Sequence, residues 1–61
     1  MTEKQTDKVD ILVKRWGVSV DDCTIVHKPF SLGDGWILLV IPGRRSGDYV
    51  IGIAPDGSAH S

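Results

Sequence analysis

Two side chains that commonly bind metals, Cys23 and His27, lie four residues apart. That spacing suits a metal site on a helix, but β-branched residues dominate this segment and indicate a strand. Four residues of strand span about 13 Å, so the thiol and the imidazole are too far apart to bind one ion. A single cysteine does not make a thiolate zinc site, and nothing brings Asp21, Asp22 or His60 beside it. We therefore expect no metal and no cofactor.

The same separation argues against a cysteine nucleophile activated by a histidine. His60 would approach Cys23 only if the C-terminal residues paired suitably with the rest of the sheet. A chain of 61 residues is also too short to enclose a deep substrate pocket. We expect no enzymatic activity and no catalytic residue.

Arg44 and Arg45 lie in a glycine-flanked loop, where guanidinium groups can bind phosphates or carboxylates. The other basic residues that could complete a patch are Lys14, Arg15 and Lys28, and the aromatic residues that could stack on bases are Trp16, Trp36 and Tyr49. The formal net charge of −1 argues against broad electrostatic capture of nucleic acid. Nucleic-acid binding is the alternative function, and a solvated turn is the simpler interpretation of the two arginines.

Residues 6–16 have the pattern of an amphipathic helix. Its apolar residues recur at i, i+3, i+4 and i+7: Val9, Leu12, Val13 and Trp16. Gly17 follows where a left-handed C-cap glycine belongs. Thr2 and Gln5 have the spacing of a capping box, and Thr6 offers a second helix start.

Three strands are predicted after the helix, at about 23–30, 35–41 and 48–54. Their short connections favour antiparallel pairing, because parallel neighbours need long crossovers. Pro29 cannot donate a ladder hydrogen bond, which favours an edge position for the first strand. The predicted fold is α+β, with one N-terminal helix packed on a three-stranded antiparallel β-meander. A turn at Pro55–Ser58 leaves the last three residues for a short fourth strand or a tail.

The central strand contains six consecutive apolar residues, Trp36–Ile41. Successive side chains of a strand point to opposite faces, so both faces of this strand are apolar. The single helix can cover only one of them. The uncovered face would also carry either Ile25 and Ile51 or Val26 and Val50 from the flanking strands.

Monomers rarely expose a large contiguous apolar patch, so we expect a protein partner or a second copy on the uncovered face. The alternative is that N-terminal residues or the C-terminal tail fold over this face. The predicted function is a small non-enzymatic protein-binding module that self-associates, as a homodimer, through an apolar sheet face or an edge strand. The predicted partner-binding residues are Trp36, Leu38, Val40, Tyr49 and Ile51, with Arg44 and Arg45 at the rim. The alternative set on the central strand is Ile37, Leu39 and Ile41. Trp36 has a second interpretation, as a core anchor against the helix beside Trp16.

Length and composition limit the other possibilities. Residues 1–61 form at most one mini-domain, and a domain of this size is marginally stable alone. One cysteine allows no internal disulfide. No stretch reaches the roughly 18 apolar residues of a membrane span. The polar start, Met1–Lys8, is unlike a signal peptide, and together with the lone thiol it favours the cytoplasm.

The stretch Asp48–Ser58, with the sequence DYVIGIAPDGS, is a strand followed by an Asp-Gly turn. It resembles the final hairpin of PepSY-like domains and of some small bacterial immunity proteins. The resemblance covers about a sixth of the chain and implies no function. As a short stand-alone domain, the chain also looks like the accessory proteins of bacteria and their phages.

Overall fold

The structure, a computed structural model, describes residues 1–43, 45 and 47–61. A helix and a short 3₁₀-helix are followed by four strands: α1 (Glu3–Trp16), the 3₁₀-helix (Val20–Asp22), β1 (Thr24–His27), β2 (Ile37–Ile41), β3 (Tyr49–Ile53) and β4 (Ala59–His60). The strands form one antiparallel sheet in the order β1-β2-β3-β4. The predicted α+β fold is confirmed, and the C-terminal residues form the short fourth strand.

α1 begins three residues before the predicted start because the capping box at Thr2 is used. The Thr2 hydroxyl accepts a hydrogen bond from the Gln5 amide (3.1 Å), and the Gln5 side chain accepts one from the Thr2 amide (2.8 Å). The box satisfies two amides that the first turn of a helix leaves without partners. At the other end, Gly17 adopts the left-handed conformation (φ 69°) and ends the helix as predicted.

The strands are shorter than predicted because the backbone turns sharply at their ends. β1 stops at His27, since Lys28 has a left-handed conformation (φ 57°) that does not continue a strand. Pro29 follows, and β1 is an edge strand of the sheet, as its proline suggests. β2 begins after Gly35, whose φ of 81° belongs to the turn that reverses the chain.

α1 covers one face of the sheet, which we call the helix side. Leu39 and Ile53 are fully buried there. The remaining members of this core are Val9, Leu12 and Val13 of the helix and Ile37, Ile41 and Ile51 of the sheet. Ile25 of β1 is partly buried at the rim of the same core. Alternation along β2 and β3 therefore assigns the large branched side chains to the helix side.

Gln5 joins the start of α1 to the sheet although it is only 1% exposed. Its side-chain amide donates hydrogen bonds to the carbonyl oxygens of Gly35 (2.7 Å) and Ile53 (3.1 Å). Because its own oxygen accepts the Thr2 amide, every polar atom of this buried side chain has a partner. The network fixes the first turn of the helix over the β1–β2 connection and the end of β3.

Candidate functional site

The face of the sheet opposite α1, which we call the open face, carries an apolar band. The register pairs Val26 with Leu38 and Val40 with Val50, so these residues run across three strands. Val26 and Val50 are 38% and 46% exposed, and Leu38 and Val40 are half-buried. We call these four residues the apolar band. The helix lies on the other side of the sheet and leaves them in contact with solvent.

Trp36 and Leu32 close one end of the open face. Gly52 of β3 lies beneath them, because a Cβ atom there would come within 3.2 Å of Leu32 Cδ1 and 3.5 Å of Trp36 Cζ3. The Trp36 ring also lies against the ring of His60 in β4, with centroids 5.2 Å apart. Trp36 is therefore half-buried on the open face and is not a core anchor against the helix. Trp16 instead contacts Tyr49, at a centroid distance of 4.8 Å.

The predicted binding residues do not all lie on one surface. Trp36, Leu38 and Val40 share the open face. Ile51 is 4% exposed in the helix-side core, and Tyr49, two residues before it, contacts Trp16 on that same side. The structure therefore does not bring Ile51 and Tyr49 together with the other three. Arg45 is exposed in the β2–β3 loop, and Arg44 lies outside the described residues.

Two exposed residues of the apolar band, Val26 and Val50, were predicted only as one of two alternatives for the uncovered face, and the exposed Phe30 was not predicted. Val26 and Val50 extend the band on either side of β2, and only the register of the sheet decides that they accompany Leu38 and Val40. Phe30 is fully exposed in the turn after β1, where the Leu32 amide donates to the Pro29 carbonyl (3.4 Å). The signal that could have indicated Phe30 is its place directly after a proline at a strand end.

The basic residues are divided between the two ends of the sheet. Lys28 lies at the end of the sheet that Gln5 contacts, because it follows His27, the β1 residue that pairs with Ile37. Arg15 lies at the opposite end, beside Trp16 and its contact with Tyr49. Lys14 forms an exposed ion pair with Asp10 (2.9 Å) one helical turn away. Lys28 therefore does not lie in one basic patch with Lys14 and Arg15 of α1.

Cys23 is half-buried and donates a weak hydrogen bond to the Ser19 carbonyl oxygen (3.5 Å). Burial, with a smaller contribution from the charge of Asp22, raises the pKa of its thiol. A raised pKa leaves less thiolate at neutral pH, which is the opposite of an activated cysteine nucleophile. His27 is exposed at the far end of β1, four residues along the chain.

Asp56, Ser58 and His60 form a chain of side-chain contacts in the β3–β4 hairpin that the sequence did not predict. The Ser58 hydroxyl and amide donate hydrogen bonds to Asp56 Oδ1 at 2.7 and 2.9 Å, and His60 Nε2 lies 3.3 Å from the hydroxyl oxygen. The bonds from Ser58 lower the pKa of the Asp56 carboxyl. Because the hydroxyl donates its proton to the carboxylate, the histidine is not placed to remove it, as a serine nucleophile requires. The hydrogen bonds between Asp56 and Ser58 order the β3–β4 turn.

Among residues 1–43, 45 and 47–61, no group of three histidine, cysteine, aspartate or glutamate side chains could hold a metal ion. The described residues also include no helix with the length and apolar character needed to cross a membrane. The chain matches no protein-family model, no curated protein and no solved structure. The open face must therefore be interpreted from its own geometry.

Proposed function

We propose that this chain is a small non-enzymatic protein-binding module that self-associates through the open face or the β1 edge beside it. The observation that carries the proposal is the apolar band, in which Val26, Leu38, Val40 and Val50 cross three strands without cover from the helix. Covering a valine that is nearly half exposed is worth roughly 1 kcal/mol, so several such side chains favour association.

The proposal is supported by the contrast between the two faces. Ile37, Leu39 and Ile41 are almost completely buried under α1, whereas Leu38 and Val40 of the same strand stay half exposed. On the flanking strands, Val26 and Val50 are more than a third exposed on the same face and increase the surface that a partner would cover. A protein surface of this kind commonly marks an interface.

The test is the molar mass in solution, measured by sedimentation equilibrium from 1 to 100 µM. The wild-type chain is expected to have a mass above that of the monomer. Val26→Lys is expected to weaken association about tenfold or more, because the charged ammonium group would have to give up hydrating water in the interface. Ile11→Lys is the matched control, since Ile11 is 50% exposed on α1, away from the sheet. A wild-type chain that stays monomeric throughout this range contradicts the proposal.

Nucleic-acid binding remains the second candidate, and one observation favours it. Trp16 and Tyr49, both partly exposed, form an aromatic pair beside the β2–β3 loop that carries Arg45. Such binding should weaken steeply between 50 and 500 mM salt and should require Arg44 and Arg45. An apolar interface should persist at 500 mM salt and in the double variant Arg44→Ala/Arg45→Ala.

A further inference from the structure

β1 is an open edge of the sheet. Its protection against strand pairing is limited to its short length and to Lys28 and Pro29, which follow it. It is the first strand in the sheet order, and only β2 pairs with it. Its residues, Thr24–His27, include no lysine, aspartate, glutamate or proline. Edge strands of monomeric proteins are commonly blocked by charges, prolines or bulges, because free amides and carbonyls invite another strand. The backbone of β1 therefore offers hydrogen bonds to an incoming strand.

A shallow apolar groove runs beside this edge on the helix side. Its volume is about 150 Å³, and it is lined by Met1, Thr6, Val9, Asp10, Val20 and Ile25. Met1 and Val20 are about half exposed, at 55% and 45%. A strand added to β1 would direct alternate side chains over this groove. The site thus fits a strand whose helix-side residues are apolar.

We propose that the occupant is β1 of a second copy, paired antiparallel with Ile25 of each copy on the two-fold axis. The inference rests on the proposed function, because it specifies how the chain self-associates. An axis perpendicular to the sheet keeps both helices on the same side, so residues that face each other belong to the same face. Ile25 then meets the partner's Ile25 over the joined grooves, and Val26 faces the partner's Thr24 on the open face.

Charge complementarity selects this register. Asp22 lies just before β1 and Lys28 just after it, each three residues from Ile25. With Ile25 on the axis, the extended residues 23–27 of the two copies pair, and Asp22 of each copy flanks the end of the ladder where the partner's Lys28 leaves it. Registers centred on Thr24 or Val26 also match the faces but bring these two charges out of alignment. Within the described part of the chain, neither Asp22 nor Lys28 is engaged in an ion pair.

The pairing would also join the two apolar bands. Val26 lies on the edge strand, so the bands of the two copies would become neighbours across the new strand pair. The partner's Thr24 would then cover one flank of Val26 on the open face.

A charge-exchange experiment tests the register. The Asp22→Lys chain carries two positive charges at the contact and the Lys28→Asp chain carries two negative charges, so each alone should dimerise about tenfold more weakly than wild type at low salt. An equimolar mixture of the two should form heterodimers close to wild-type affinity, because both contacts then pair opposite charges. Asp34→Lys and Lys8→Asp are the matched controls, which should dimerise as wild type alone.

Disulfide trapping gives a second measurement at exposed positions. In the Cys23→Ser background, a mixture of Thr24→Cys and Val26→Cys chains should cross-link under mild oxidation, whereas each chain alone should not, since these residues face each other only across the axis. If wild type is dimeric but neither mixture behaves in this way, and Val50→Lys dissociates the dimer, the copies meet face to face and the β1 pairing is wrong. A monomeric wild type overturns the proposed self-association itself.

Discussion

At the scale of single residues, Gln5 links the start of α1 to the sheet through buried hydrogen bonds. It is a polar side chain within a small core, and it satisfies carbonyl oxygens of both the β1–β2 connection and β3. Buried carbonyls without partners are costly, so the amide group is needed at this position. An apolar residue of similar size would fill the space and leave these groups without hydrogen bonds.

Gln5→Leu should therefore lower the free energy of unfolding by about 2–4 kcal/mol, since it removes three hydrogen bonds and leaves their partners unsatisfied. Urea denaturation followed by circular dichroism measures this loss. Asp7→Leu, an exposed polar-to-apolar change on the same helix, should change stability by about 0.5 kcal/mol or less. Equal effects of the two substitutions would contradict the role given to Gln5.

At the scale of elements, the β3–β4 hairpin has both a geometric and an electrostatic determinant. Gly57 adopts a φ of 90°, and a Cβ atom there would lie 3.0 Å from the backbone oxygen of Lys4 at the start of α1. Glycine is thus required for both the turn and the approach of the helix. The Asp56 carboxylate accepts hydrogen bonds from the Ser58 amide and hydroxyl, and these bonds close the turn that leads into β4.

Acid should loosen this turn. Hydrogen bonds from Ser58 lower the pKa of Asp56 in the folded chain, so their stabilising effect is complete above the unfolded pKa of about 3.9 and is lost as pH falls through the folded value. The Ser58 amide resonance should titrate with a midpoint below 3.9 in NMR spectra. Asp56→Asn should abolish that titration, and a midpoint at or above 3.9 in the wild type would disagree with the hydrogen-bonded carboxylate.

At the scale of the whole molecule, the described residues place one α-helix against a sheet that has two apolar faces. A domain of 61 residues buries a modest fraction of its surface and is only marginally stable by itself. Because its lone cysteine forms no internal disulfide, extra stability would have to come from an efficiently packed core or from the proposed self-association. Folding and self-association should therefore be linked.

The melting temperature should accordingly increase with protein concentration. A hundredfold increase from 1 to 100 µM should raise it by several degrees, since a small domain gains about 4–8 °C per kcal/mol of added stability. Val26→Lys should reduce this dependence, and Ile11→Lys should preserve it. A melting temperature that is constant over the whole range would argue for a chain that folds and functions as a monomer.

The elements of the fold follow from local patterns in the sequence. The apolar stripe at Val9, Leu12 and Val13 predicts the helix, Gly17 ends it, and the turn residues Pro55–Ser58 separate the last two strands. These features depend on side-chain spacing and on backbone conformations of individual residues, which the sequence displays directly. Strand ends were less predictable, because the left-handed backbone of Lys28 has no signal in a residue of that type.

The run Trp36–Ile41 already implies that the central strand is apolar on both faces and that one helix can cover only one of them. Which face the helix covers depends on how the strands pair in the folded chain. The antiparallel register assigns Ile51 and Ile53 to the helix side and leaves Val26 and Val50 with Leu38 and Val40. A shift of one residue between strands would exchange the faces, so this choice depends on contacts between segments distant in the sequence. The surface proposed to bind a partner is therefore a property of strand pairing and cannot be read from any single segment.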